Sequence, residues 1–391
     1  MMANGNGASA GITFQLTEEQ KMIKKLARDF ARNEIAPHAE HHDKTHEYPW
    51  EIVKKAQELG LTTVNVPEEY GGLGLSLFEE MLVAEELAWG CSGISLCITI
   101  NNLASLPLLV AANDEQKQEY FGRLVDGKMA AYALTEPSAG SDVLGIRTTA
   151  RKDGDYYVLN GTKTFITGAT VADWFTVFAY TDPSAKHRGM SAFIVDRNTP
   201  GVSVSKPFDK LGQRASDTAE IILEDVRVPA KNLLGKEGEG FFIAMKVFDR
   251  SRPGVAAAAV GIAQRAFDEA MQYSLERKTM GKPIYKHQAI GHMLADMATK
   301  IEASRLLTWQ AAIAFDEGHP SIKLASMAKS FAADTGMQIC TDAVQVFGGY
   351  GFITEYPVEK LMRDMKIMQI YEGTSQIQRY VIIRELAREY S

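Results

Sequence analysis

Near the C-terminal end of the chain, Met368-Gln-Ile-Tyr-Glu-Gly-Thr-Ser-Gln-Ile-Gln-Arg379 sets a single carboxylate, Glu372, between an apolar stretch and the start of a helix. Gly373 frees the backbone beside it, and Ser375 with Gln378 has the S-x-x-Q spacing of a capping box. Tyr380, Ile383, Leu386 and Tyr390 then keep helical spacing. An acid so placed sees the positive end of the helix dipole, and in a dry site it would be a well-oriented general base for removing a proton. An isolated Glu at a helix start carries no such meaning. Other groups must converge on it.

Three further motifs have chemical potential. Ala133-Leu-Thr-Glu-Pro-Ser-Ala-Gly-Ser-Asp142 closes a strand with the hydroxyls of Thr135, Ser138 and Ser141, which could present donors to an electron-rich ring. Alone, it reads as a polar turn. Gln345-Val-Phe-Gly-Gly-Tyr-Gly-Phe352 ends a helix with three glycines, an ordinary C-terminal stop that also bares backbone. Glu276-Arg-Lys-Thr-Met-Gly-Lys282, followed by His287-Gln288, is a basic turn; Arg277 and Lys278 could meet phosphates, although a solvated charge run is the default.

The elements that must position these motifs fall into three regimes. Residues 1–128 read as an N-terminal helical domain: Thr17-Glu-Glu-Gln20 is a capping box, a second helix follows Pro49 and stops at Gly60, and others start at Ser76 and Asp114. Residues 129–236 change period, with short β-rich runs at 130–135, 156–159, 174–180, 191–195 and 220–223, and turn dipeptides at Asp153-Gly154 and Asn160-Gly161. No helix-length pattern separates these runs, so the expectation is an antiparallel sheet or barrel and not a doubly wound one. Consistently, no G-x-G-x-x-G opens a helix after a strand. Residues 237–391 are helical again over 240–275, 286–315 and 321–347, implying a bundle of long antiparallel helices in which Ala256 to Ala259 and Gly261 allow close approach.

Composition narrows the partners. With 391 residues, 46% hydrophobic, the chain can build more than one core. A net charge of −7 supplies no basic field for nucleic acid or an anionic membrane. No apolar run is expected to approach the roughly 20 residues that span a bilayer. Residues 1–11 lack the Arg content and apolar core of a signal or transit peptide and read as a floppy leader. Cys91, Cys97 and Cys340 form no CxxC pair, which suits a reducing, cytoplasmic setting, argues against a metal site and makes them small buried residues.

Taken together, in this order and spacing, the motifs resemble the acyl-CoA dehydrogenase family. The resemblance runs from Leu16-Thr-Glu-Glu-Gln20 through Val66-Pro-Glu-Glu-Tyr-Gly-Gly-Leu-Gly74 to the last helix. It is closest over residues 133–145 and over 345–364, where Glu355, Lys360 and Asp364 are spaced along the motif. It implies a mostly α fold with a central β-domain and a C-terminal four-helix bundle, and FAD held between the two without a Rossmann motif. By the same resemblance, Tyr132, Leu134, Thr135, Gly140 and Ser141 contact the flavin on one side. Phe165 and Thr167 do so on the other, with Phe165 standing where many relatives have Trp. Thr374 and Gln376 follow just after the base. Arg277, Thr279, Gln288, Gln345, Gly348 and Gly349 match residues that reach the FAD of a neighbouring subunit, so the resemblance implies a homo-oligomer, with a homotetramer expected.

The implied reaction is α,β-dehydrogenation of an acyl-CoA. The thioester carbonyl is hydrogen-bonded by the backbone N–H of the base and a flavin hydroxyl, Glu372 takes the α-proton, and the β-hydrogen leaves as hydride to the flavin, giving a trans-2-enoyl-CoA. Some relatives carry the base at the position of Ser251; a Ser there leaves Glu372 without a rival. Ser141, Asp249, Arg252, Gly373 and Arg384 match positions lining the acyl-CoA site. Residues 355–364 look most like the medium-chain branch, whereas Asn101-Asn102 is more like short-chain relatives, so the expectation is a straight short- to medium-chain substrate with branched chains as runner-up. Electron-transferring flavoprotein is the expected electron acceptor. An acyl-CoA oxidase-like flavoprotein and a non-catalytic scaffold of the same fold are the alternatives.

Overall fold

A computed structural model describes residues 15–391; the leader expected over residues 1–11 lies outside them. The first helices are α1 (Glu18–Phe30), α2 (Ala39–Thr45), α3 (Trp50–Glu58), α4 (Leu77–Gly90), α5 (Ser92–Ala111) and α6 (Asp114–Val125). The caps account for where they start. Thr17 and Gln20 form a reciprocal capping box, as do Ser76 with Glu79 and Asn113 with Gln116. α4 gains a further cap from a residue distant in the sequence, because the Asp316 carboxylate accepts from the N–H groups of Leu77 (2.9 Å) and Phe78 (2.8 Å). In α3, Ile52, Val53 and Ala56 are buried, while Leu59 lies beyond the helix and is 40% exposed.

α5 corrects one expectation. It is 20 residues long and, by length and composition, apolar enough to cross a bilayer, but 61% of its most apolar window is buried inside the protein. It is a core helix: Ile94, Cys97, Ile98 and Ile100 pack with Ile35, Leu61 and Leu87 in one cluster, and Ala104, Leu106 and Leu108 join a second cluster that runs into the sheet. Its sequence resembles a membrane span because both faces are covered by protein.

The strands are β1 (Ala130–Ala133), β2 (Thr149–Asp153), β3 (Tyr156–Thr167), β4 (Trp174–Tyr180), β5 (Met190–Asp196), β6 (Val202–Val204), β7 (Thr218–Pro229) and β8 (Leu233–Leu234). They form one eight-stranded sheet in the order β6-β7-β3-β2-β4-β5-β8, with β1 also on β4. The sheet is mixed and not purely antiparallel, since β1 runs parallel to β4 (Ala130 opposite Trp174) and β2 meets β4 in parallel at Thr149 and Tyr180. Parallel pairs need no hairpin, so no local turn announces them. Asp153-Gly154 leads into the turn between β2 and β3, whose two loop residues are Gly154 and Asp155, but Asn160-Gly161 is not a turn: it sits inside β3 at a register shift against β7, and Asn160 bonds both the side chain and the backbone N–H of Asp225.

The third part holds α7 (Gly240–Glu276), the short hairpin β9 (Lys278–Thr279) and β10 (Lys282–Pro283), α8 (Gln288–Asp316), α9 (Ile322–Phe347), α10 (Val358–Met365) and α11 (Ser375–Glu389). At 37 residues α7 is about 55 Å long, and its Ala-rich middle is the shared core of the bundle. Gly261 explains its closeness to α4: a Cβ there would stand 2.1 Å from the Glu85 carbonyl oxygen.

Asp364, fully buried on α10, ties the three parts together. It accepts from the N–H of Gln213 (2.6 Å), the hydroxyl of Ser92 (3.0 Å) and the ammonium of Lys360 (2.6 Å). Burial works against the Lys360 ammonium, but the charge and hydrogen bond of the adjacent Asp364 carboxylate outweigh it and hold Lys360 well above its usual range. Next to it, Arg363 makes a two-pronged pair with Asp43 at 3.1 and 2.6 Å. All three cysteines are buried free thiols.

Candidate active site

The segment from Tyr371 to Thr374 crosses the end of the bundle between α10 and α11. The helix cap differs by one residue from the expected capping box: Thr374, not Ser375, is the N-cap, and its hydroxyl accepts from the Ile377 N–H at 3.2 Å. Both residue types cap well, so spacing alone could not separate them. Ser375 instead donates to Asp334 on α9 at 2.8 Å, and Gln378 turns its amide back onto the carbonyls of Glu372 (3.0 Å) and Gly373 (3.1 Å). Glu372 and Gly373 are consecutive residues in the left-handed region, at φ 54° and 91°. That conformation is natural for Gly and strained for Glu, and strain of this kind collects at functional sites.

Around the Glu372 carboxyl stand groups from three other elements. From α7, Ser251 donates its hydroxyl to it, and Arg252 lies close enough to act on it electrostatically. From α9, the fully buried Lys329 does the same and donates to the Gly373 carbonyl at 2.7 Å. From the end of β1, Tyr132 faces it with a buried hydroxyl that has no partner among the described residues. Burial raises the Glu372 carboxyl above its ordinary range, while the Ser251 bond and the Lys329 and Arg252 charges oppose that rise. The outcome is a carboxyl of increased proton affinity, the property a base needs near neutral pH. The backbone N–H of Glu372 has no acceptor among the described residues.

The other predicted acyl-CoA positions gather here in part. Asp249 lies 3.7 Å from Arg252, and burial pushes its carboxyl up to about 6. Pro253, inside α7, removes the helical donor that the Asp249 carbonyl would otherwise receive. Arg384 is close enough to influence Asp249 but bonds to its neighbour Glu385 at 2.8 Å and is exposed. Ser141 is exposed in the loop after β1.

That loop is pinned by a pair not anticipated from the sequence. Lys163 of β3, fully buried, donates to Glu136 at 2.7 Å and to the Leu134 carbonyl at 3.1 Å. Glu136 also accepts from the N–H groups of Arg147 (2.6 Å) and Thr148 (3.0 Å) and from the Thr148 hydroxyl. These donors hold the Glu136 carboxyl below its ordinary range despite burial, and the loss of water lowers Lys163 to about 8. Thr135 is placed by its carbonyl, which accepts from the Thr164 N–H at 2.9 Å. One residue on, Phe165 has φ 57° and a ring 66% exposed, 5.3 Å from that of Phe208. Thr167 ends the same strand, and Gly140 is open at the tip of the opposite loop.

A second group lies elsewhere. Arg277 stacks its guanidinium over Tyr350 at 5.6 Å, which joins the basic hairpin to the glycine-rich turn of Gly348 and Gly349 after α9. Thr279 contacts His287 at 3.0 Å, and Gln288, Gln345 and both glycines are exposed. Among the described residues this group shares no hydrogen bond or ion pair with the Glu372 group. Thr374, predicted beside a cofactor, already spends its hydroxyl on the helix cap, and Gln376 is exposed.

A helical domain, a central sheet and a helical bundle with a poised carboxyl at its end define a class of oxidoreductases. Models of the N-terminal, middle and C-terminal domains of acyl-CoA dehydrogenase match residues 17–128, 131–226 and 238–387. The chain belongs to the acyl-CoA dehydrogenase family. It is 48% identical to cyclohexane-1-carbonyl-CoA dehydrogenase of Geobacter metallireducens, covering 96% of this chain and 99% of that one. Butyryl-CoA dehydrogenase of Megasphaera elsdenii superposes with a TM-score of 0.94 at 42% identity, covering 96% and 100% of the two chains. A chain from structural work on the electron transferring flavoprotein of Acidaminococcus fermentans superposes equally well, TM-score 0.94, at 47% identity over 96% and 100%.

Members of this family are FAD flavoproteins. The residues here fit such a group. A strained backbone holds the Phe165 ring out to solvent, the unpartnered Tyr132 hydroxyl is buried near Glu372, and the pinned loop leaves Gly140 open.

Proposed function

We propose that the protein catalyses FAD-dependent α,β-dehydrogenation of a short- to medium-chain acyl-CoA to the trans-2-enoyl-CoA, with Glu372 as the base that takes the α-proton. The observation that carries this is the Glu372 carboxyl itself, held on strained backbone with its proton affinity raised by burial and its N–H free. That N–H is available to a thioester carbonyl, and a hydrogen bond there acidifies the α-carbon. Ser251 orients the carboxyl from one side, and Arg252 and Lys329 limit how far burial raises its proton affinity. Bound FAD supplies the hydride acceptor for the β-hydrogen. Tyr132, Leu134, Thr135, Gly140, Ser141, Phe165, Thr167, Thr374 and Gln376 are assigned to one FAD; Arg277, Thr279, Gln288, Gln345, Gly348 and Gly349 are assigned to the FAD of a neighbouring subunit in a homotetramer. Asp249, Arg252, Ser141, Gly373 and Arg384 are assigned to the acyl-CoA. Electron-transferring flavoprotein is assigned as acceptor, in the cytoplasm, a reading supported by the likeness to the Acidaminococcus chain.

A second reading of the substrate has a specific support. The Geobacter relative is named for a thioester whose α-carbon is itself a ring carbon, so a cyclic or α-branched acyl group competes with the straight chain. Anaerobic mixing of the flavin-loaded protein with butyryl-, octanoyl- and cyclohexane-1-carbonyl-CoA decides between them through the rate at which the flavin band bleaches. Glu372→Gln is expected to slow bleaching by about 10³-fold or more with flavin still bound. Equal rates in variant and parent would remove Glu372 from the chemistry.

A further inference from the structure

Lys329 lies in a place where a lysine is costly. It sits on the inward face of α9 in a stripe of small residues, Ala325, Ala328, Ala332 and Ala333, and none of its surface is exposed. Among the described residues it has no carboxylate within ion-pair distance, so its ammonium is not neutralised by a direct partner. Its hydrogen bond goes to a backbone carbonyl, that of Gly373, at 2.7 Å.

That carbonyl belongs to the residue after Glu372, in the turn where two successive residues have positive φ. Gln378 donates to the same oxygen at 3.1 Å and to the Glu372 carbonyl at 3.0 Å, so the Gly373 oxygen receives two donors from different helices. Just over one turn along α9, Asp334 accepts from Gln369 (2.7 Å), Ser375 (2.8 Å) and Arg379 (2.6 Å). One helix therefore grips the segment before, within and after the turn. The Asp334 contacts are neutral or paired, whereas Lys329 places a cation that has no ion-pair partner among the described residues within electrostatic reach of the Glu372 carboxyl.

We propose that Lys329 is a positioning residue for proton transfer: its bond to the Gly373 carbonyl fixes the left-handed turn at Glu372, and its charge keeps the neighbouring carboxyl available as a base. This rests on the assignment of Glu372 as that base. The groups that face Glu372 are Ser251 and Arg252 from α7, Lys329 from α9, Tyr132 in β1 and the adjacent Tyr371; those that face Lys329 are Glu372, Asp334 and Arg252. Arg252 has Asp249 at 3.7 Å to share its charge, which leaves Lys329 the less compensated of the two cations. Burial brings Lys329 down to about 8, so it is charged at neutral pH and its support fades as pH rises through that value.

The test follows the carboxyl directly. In the purified flavin-loaded protein, the protonated-carboxyl infrared band that Glu372→Gln removes is titrated with pH in the parent, in Lys329→Met and in Lys329→Arg; Lys329→Gln replaces the Met variant if that one does not fold. The expected result is a band that persists to higher pH in the Met variant and stays at the parent's midpoint in the Arg variant. In parallel, acyl-CoA bleaching by the Met variant should fall about tenfold on the acid side and recover at higher pH, the effect of one opposite charge on a carboxyl, whereas a merely structural role would lower it equally at every pH. Coincident midpoints for Met variant and parent, or an Arg variant that moves as far as the Met variant, would overturn the proposal. If no acyl-CoA bleaches the parent, the proposed reaction fails, yet the infrared titration still decides the role of Lys329.

Discussion

Ser251 on α7 donates its hydroxyl to the carboxylate of Glu372, joining the longest helix of the bundle to the segment between α10 and α11. From the sequence, Ser251 matters as the place where some relatives put the acid itself. In the folded chain it is a hydrogen-bond donor to Glu372, the proposed base.

A donor to the ionised form lowers a carboxyl's proton affinity, so Ser251→Ala should raise that of Glu372 further above its ordinary range. The acid limb of the kcat/KM profile is expected to move to higher pH, with a loss of about tenfold below it and little change above, as for one hydrogen bond to a charged group. An unmoved limb with a uniformly lower rate would mean that Ser251 only shapes the site.

Phe165 separates stability from cofactor binding. Its ring is 66% exposed while its backbone occupies the left-handed region, so the free protein gains little from the side chain and bears the strain of the conformation. Phe165→Gly is expected to stabilise the flavin-free protein by about 1 kcal/mol and to weaken FAD retention, whereas Phe165→Trp keeps the flavin. Thermal melts of the stripped protein and flavin content after dialysis measure the two effects. A Gly variant that holds FAD as firmly as the parent would remove Phe165 from the cofactor site.

The pin between Lys163 and Glu136 holds the loop expected to meet the cofactor. Because the pair is buried, removing one partner strands the other: Lys163→Met should cost about 3 kcal/mol, and Lys163→Met with Glu136→Leu less than the sum of the single changes. The sign with pH follows from Glu136, whose carboxyl is held below its ordinary value of 4.5. Its contribution is present above that value and is lost as pH falls through the lower, folded-state value. Denaturant midpoints of the four proteins at pH 7 and pH 4 measure both effects, and additive losses would show that the two residues act separately.

What the sequence made legible was local. Helix starts at Thr17, Ser76 and Asn113 carry their own donors and acceptors within three residues, and the long apolar periods of α7, α8 and α9 need only the chain itself. The parallel pairing of β1 with β4, the bulge at Asn160-Gly161 and the cap at Thr374 depend on partners brought from elsewhere. The site divides in the same way. Glu372 stands out by its neighbours in the sequence, but Lys329 is 44 residues away from the carbonyl it binds, and Lys163 is 27 from Glu136. The available signal was a lysine on the apolar face of a helix, flanked at helical spacing by Ala325 and Ala333, which marks a buried cation without saying what it holds.

Glu372→Gln should abolish turnover and also stabilise the protein, and the pH dependence of that gain distinguishes a poised base from an ordinary buried acid. Burial raises the folded-state carboxyl above its ordinary value of 4.5, so between those two values the folded protein binds a proton that the unfolded chain does not. Stability from this group is therefore full below the unfolded value and is lost as pH rises through the folded one. Above the folded-state value the parent bears the cost of an ionised, half-buried carboxylate, which the neutral amide avoids while it can still accept from Ser251. The expected melting temperature of Glu372→Gln is higher than the parent's at pH 7.5, with the gap closing toward pH 4. A gap that stays constant across that range would show that the carboxyl is not under strain from burial, and that its fitness as a base at neutral pH has another origin.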